Sequence, residues 1–221
     1  MPMPADQLTL LRAVLNAPLP DAPREAYADW LHGAGHAGQA EFIRVSLKLA
    51  KCRTFPGCVA PKRACDCAGC AMKQRIRELL TADAAAAWAD LGGLAADGLT
   101  APVQWVTAAT DVAAGRVGLQ WSRGFVGVVH APLAAYLAGA AGLFRRHPVT
   151  RVRVTDAADC LRTEARETGE RHYWLGNMWV ASSQSPGAPP EAPAGPFAAW
   201  LDDRISDRCV SRGLRAAGLR A

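Results

Sequence analysis

Five of the seven cysteines, Cys52, Cys58, Cys65, Cys67 and Cys70, fall between residues 52 and 70 and end in a C-x-C-x-x-C run. Thiolates in such a cluster suit zinc, a borderline-soft ion that takes a tetrahedral sulfur shell at ~2.3 Å. Two cysteines separated by two residues can wrap one ion, so Cys67 and Cys70 are the expected first pair. Cys52 and Cys58 fit the second pair, and Cys65 could replace either. Cys70 is expected to open a helix, where amide groups and the dipole favour a thiolate. The segment FPGCVAPKRACDCAGCA carries few large apolar residues, so a metal cross-link is what would order it. An iron–sulfur cluster is the alternative, because its ligand sets are also all cysteine. A catalytic zinc would need an open ligand position and a base, and the chain has neither H-x-E nor HExxH. The expected ion is therefore structural Zn2+.

Composition frames this chemistry. Half of the 221 residues are apolar and the formal net charge is +5, with a mean hydropathy of +0.01 and a pI near 9.0. The longest uncharged apolar run, Ala131 to Phe144, is short and rich in Ala and Gly, which predicts no membrane span. MPMPADQLTLL lacks the basic and apolar regions of a secretory signal, so a cytoplasmic location is expected. Thiols there are reduced, which favours metal over disulfides, as does the odd cysteine count.

The cysteine loop has a basic flank. Lys48, Lys51, Lys62 and Lys73 are joined by Arg53, Arg63, Arg75 and Arg77. Such a flank could grip phosphates, so nucleic-acid binding by residues 48–77, through Lys62, Arg63, Lys73 and Arg75, is the alternative function. A solvated hairpin surface is the simpler reading, since Phe55 is the only aromatic residue in the loop. On the last helix, Arg204, Arg208, Arg212 and Arg215 interleave with Asp202, Asp203 and Asp207, suggesting local pairing on a solvated face. The seven tryptophans are spread along the chain in a manner suited to packing. The five histidines are scattered, although His32 or His36 could approach the metal loop. Asp29 and Glu41 read as packing or capping groups rather than an acid/base pair. No GxSxG, Walker A or GxGxxG run is present. A small-molecule substrate and a catalytic set are therefore not expected.

Periodicity supplies the elements that must position these residues. A first helix runs to about Asn16 with Asp6 as N-cap; a second starts at Asp21 with Pro23 in its first turn; a third spans about 39–51. A fourth spans about 71–81 and a fifth 84–91, followed by a loop over 92–102. Val117 to Trp121 and Phe125 to Val129 read as strands around a tight turn. A helix over 132–146 and a strand over 149–155 then complete a strand–helix–parallel-strand unit. Residues 156–171 read as loop, 172–182 as one strand, and SSQSPGAPPEAPAGP as a surface loop before a helix over 197–217.

DAPREAYADWLHGAGHAGQAEFIRVSLKLA resembles the N-terminal repeat-companion domain of certain bacterial proteins. The resemblance rests on Asp21, Ala22, Pro23 and Arg24, on Tyr27 to Leu31, and on Glu41, Phe42, Ile43 and Arg44. It covers roughly the first fifty residues and implies a small helical module that precedes leucine-rich-repeat segments, with no catalytic residues attached. The strand–helix–strand unit resembles a degenerate leucine-rich-repeat turn, though no period of roughly 20–29 residues is sustained. The expected class is α+β: a helical domain over 1–82 with a zinc hairpin at 52–70, then a small repeat-like α/β part over 83–221. The expected function is a non-enzymatic protein-binding or scaffolding module.

Overall fold

A computed structural model describes residues 4–52, 67–106, 111–166, 168, 170–185 and 194–219. In chain order the elements are α1 Ala5–Asn16, α2 Ala22–Gly33, α3 Ala37–Lys51, α4 Ala68–Leu79, α5 Ala82–Trp88 and α6 Leu91–Ala96. Then come β1 Val103–Trp105, β2 Val117–Ser122, β3 Phe125–Ala131, α7 Leu133–Arg146 and β4 Arg151–Val154. The last are α8 Ala157–Cys160, β5 Leu161–Ala165, β6 Arg171–Leu175, β7 Met178–Ser182 and α9 Ala194–Ala216. The class is α+β, with two small sheets among the described residues. No helix among them is long and apolar enough to cross a membrane.

The chain divides into two compact units. One takes residues 1–93, 121–127 and 146–148; the other takes 94–120, 128–145 and 149–221. The first therefore runs past residue 82 and regains two short segments later in the chain.

The first unit is built on α1, α2 and α3. Leu11, Val14 and Leu15 of α1 are buried, as are Tyr27, Ala28 and Leu31 of α2 and Phe42, Ile43 and Leu47 of α3. These positions recur at helical spacing, so each helix buries one stripe. Phe42 lies 5.2 Å from the rings of both Trp88 and Trp121, and edge-on to the latter. Tyr27 contacts Phe125 at 5.8 Å. The β2–β3 connection supplies part of this packing. Arg123 (φ 51°) and Gly124 (φ 85°) both sit in the left-handed region, the geometry of a two-residue hairpin turn whose twist matches its strands. A Cβ on Gly124 would stand 2.7 Å from the Ile43 Cα, so glycine is also what allows the turn to approach α3.

The four-stranded sheet has the order β1-β2-β3-β4, and all of it except residues 121–127 around the β2–β3 turn belongs to the second unit. β1 pairs with β2 in parallel, Val103 opposite Val117, and β3 pairs with β4 in parallel, Val128 opposite Arg151. The strand–helix–parallel-strand unit of β3, α7 and β4 is thus present. The central β2–β3 hairpin makes the sheet mixed, because two residues can join only antiparallel neighbours. α9 packs on β4 and β7. Its Leu201, Ile205 and Cys209 are buried in one stripe, and the Ser206 hydroxyl accepts the Val152 amide at 3.1 Å. The Tyr136 hydroxyl donates to the Cys209 carbonyl. A three-stranded antiparallel sheet, β5-β6-β7, completes the unit.

Several local expectations need correction. Asp6 lies inside the first turn of α1, and Pro4 occupies the N-cap position. Asp21 does precede α2, but its carboxylate binds Lys51 at 3.0 Å and Arg123 at 3.4 Å rather than capping the helix. The stretch 92–102 contains most of α6, and 156–171 contains α8 and β5. Residues 171–182 form two strands, not one, because Gly176 (φ 56°) and Asn177 turn the chain.

Candidate metal centre

Two of the five clustered cysteines close the facing ends of neighbouring helices. Cys52 is the C-cap of α3 and Cys67 the N-cap of α4, both with extended backbone (ψ 120° and 151°). Gly69, buried in the first turn of α4, marks where they meet. A Cβ there would stand 3.3 Å from the Cys52 Sγ and 3.9 Å from the Cys67 Sγ. Both sulfurs thus stand beside Gly69, at the junction of the two helix ends. Cys70 follows in the same helical turn, so Cys67 and Cys70 both lie at the α4 N-terminus, where amide groups favour thiolates. α4 opens at Ala68, three residues before the expected start, so Cys70 lies within its first turn rather than at its first residue.

Cys58 and Cys65 lie outside the described residues. Among the described residues no three His, Cys, Asp or Glu side chains gather closely enough to hold an ion. His36 is removed from consideration: it is the N-cap of α3 and Cys52 is the C-cap, and fifteen residues of helix separate them by ~22 Å. His32 stands on the last turn of α2, four residues before His36 in the chain.

Among the described residues of the basic flank, Lys51, Arg75 and Arg77 have internal partners. The Arg75 guanidinium forks onto Glu41, at 2.7 and 2.9 Å, and reaches Glu78 at 3.2 Å. The hydrogen bonds donated by Arg75 hold the Glu41 carboxyl below its ordinary range, and the same bonds, accepted by Glu41 and Glu78, raise Arg75. Lys51 binds Asp21 at 3.0 Å and stands 3.9 Å from Glu25. Lys51 is the leading cause of a lowered Asp21 pKa. Arg77 donates to Gln74 at 2.7 Å. Lys73 is half-buried on α4, and Lys62 and Arg63 lie outside the described residues. Of the four residues named for phosphate binding, Arg75 is engaged between carboxylates. Glu41 is accordingly a tie between α3 and α4, and Asp29 pairs with Arg44 at 2.7 Å.

Comparison with protein-family models, curated proteins and solved structures gave no match. The chemistry of the site is thus carried by its own geometry.

Sequence reasoning missed one constellation in the second unit. The α9 arginines are laid on aromatic rings: Arg208 stands 4.4 Å from the Trp179 ring centre and Arg204 5.8 Å from that of Trp200. Asp203 pairs with Arg151 of β4 at 2.8 Å. The available signal was the spacing of Arg204 and Arg208 by one helical turn, read as a solvated face.

Proposed function

We propose that this chain is a non-enzymatic, zinc-stabilised protein-binding or scaffolding module. The ligands would be drawn from Cys52, Cys58, Cys65, Cys67 and Cys70, with Cys67 and Cys70 as the first pair; Cys52, Cys67 and Cys70 do not form a three-ligand group by themselves, so Cys58 or Cys65 is needed to complete the shell. The observation that supports this is the approach of the Cys52 and Cys67 sulfurs to Gly69, at the ends of two helices. α4 fully buries only Gly69 and half-buries Met72, Ile76 and Leu79, so packing gives it less reason to stay in place than α3 has. A four-thiolate zinc would supply that reason and leaves no ligand position for catalysis. The repeat-companion reading of the helical part, and the repeat-like reading of β3–α7–β4, belong to the same proposal.

The test pairs a folding readout with a binding one. In Cys67→Ser/Cys70→Ser, amide exchange across α4 should become unprotected while α1 and α2 keep their protection. An unchanged α4 would contradict the clamp. The protein-binding part predicts a stoichiometric complex recovered in high salt; a chain retained only on nucleic acid, and released by salt, would replace it with the phosphate-binding reading.

A further inference from the structure

In the second unit, β7 and α9 enclose a cleft of about 290 Å³ lined by Trp179, Ser185, Arg204, Asp207, Arg208 and Ser211. Its cations are pre-positioned. The Arg208 Nε donates to the Val180 carbonyl at 3.2 Å, and the guanidinium lies over Trp179. Arg204, one turn earlier, lies over Trp200. A guanidinium stacked on an indole and tethered to a carbonyl has already surrendered much of its rotamer freedom, so less is lost when a ligand arrives.

The wall continues onto the sheet. Trp179 stands opposite Trp174 in the β6–β7 register, and Arg162 of β5 lies over Trp174 at 5.7 Å. Arginine and tryptophan are the residue types that dominate binding energy at protein interfaces. The backbone spacing of the two arginines accommodates an extended chain. Successive arginines at i and i+4 on a helix are ~6 Å apart along its axis, and alternate residues of an extended chain are ~6.6 Å apart. Asp207 in the wall, and Glu164 paired with Arg162 at 2.6 Å, disfavour a uniformly anionic polymer such as a nucleic-acid backbone.

We infer that this cleft docks an extended acidic peptide segment of a partner protein, with carboxylates on alternate residues meeting Arg204 and Arg208. The Ser185 and Ser211 hydroxyls would serve its backbone, and Trp179 its apolar side. This rests on the protein-binding reading and supplies its partner chemistry.

The test is fluorescence anisotropy of the purified 221-residue chain with a short fluorescein-labelled peptide alternating Glu and Ser. The controls are the Lys-for-Glu peptide and a single-stranded polyuridylate. The Glu peptide should bind saturably, and Arg204→Glu and Ser211→Asp should each weaken it at least about tenfold, or about 1.4 kcal/mol. Ser211→Asp leaves the Arg208 tether in place, so a folding failure at one position does not hide the result. Absence of saturable binding, equal affinity for the Lys peptide, tighter binding of polyuridylate, or affinities unmoved by both variants would each overturn the inference. The high-salt complex is read separately, so an inert cleft and a chain without a protein partner give different results.

Discussion

Helix α3 buries Phe42, Ile43 and Leu47, all at 2% exposure or less, whereas α4, which packs on it, buries only Gly69. Met72, Ile76 and Leu79 of α4 are half-buried. The magnitudes separate the two cases. Burying one large apolar side chain stabilises by ~1.5–3 kcal/mol, so α3 is secured by packing alone. An exposed ion pair such as Arg75–Glu41 contributes ~0–1 kcal/mol, far too little to order twelve residues of helix. A structural zinc, at roughly 10–16 kcal/mol in small zinc-finger peptides, is of the required size. On the proposed reading, these neighbouring helices share an interface and depend on different chemistry.

Three perturbations sharpen that comparison. The largest effect is expected for Phe42→Ala, which empties the space between Trp88 and Trp121 and should cost ~3–5 kcal/mol in denaturant unfolding. Exchange protection should fall across α3 as well as α4. Loss confined to α4 would reverse the assignment of forces.

Acid comes next. His147 is fully buried, its Nε2 faces the Ala89 carbonyl at 3.2 Å, and its ring meets Trp121 edge-on at 6.4 Å. Burial pushes its pKa down to about 4, against the hydrogen bond to the Ala89 carbonyl, with nearby Arg146 also lowering it and Asp90 raising it. Because the folded value lies below the ordinary 6.5, the stabilising term is complete above pH 6.5 and is lost as pH falls towards 4. At ~1.36 kcal/mol per pKa unit the loss is about 3 kcal/mol. Urea midpoints of the parent and His147→Gln should converge over that window. Parallel curves would show that another group titrates.

The smallest effect is expected for Arg75→Ala, below about 1 kcal/mol and shrinking with salt. With metal bound, α4 should keep its protection. Release of α4 by this change alone would mean that the ion pair, and not sulfur, holds it.

The sequence carried the parts of this picture that depend on local spacing. The stripes of α1 to α3, the tight β2–β3 turn and the alternation of Arg151–Val154 were all legible, because helix and strand periods are written in adjacent residues. Cysteine spacing likewise drew attention to the junction at residues 52–70. Partnerships between distant residues were not legible. Asp156 accepts the Leu133 amide at 2.8 Å at the start of α7 across 23 residues, and Glu41 takes Arg75 from 34 residues away. Nor does any linear pattern announce that residues 121–127 and 146–148 return to the first unit. Short elements such as β1 and α6 failed for a different reason: three and six residues are too few to show a period.

The most direct test of the central claim is the metal content of the purified chain, by elemental analysis together with native mass. One zinc per chain is expected, absent from Cys67→Ser/Cys70→Ser and removable by chelation with loss of α4 protection. A metal-free chain whose α4 is as protected as α3 would contradict the account.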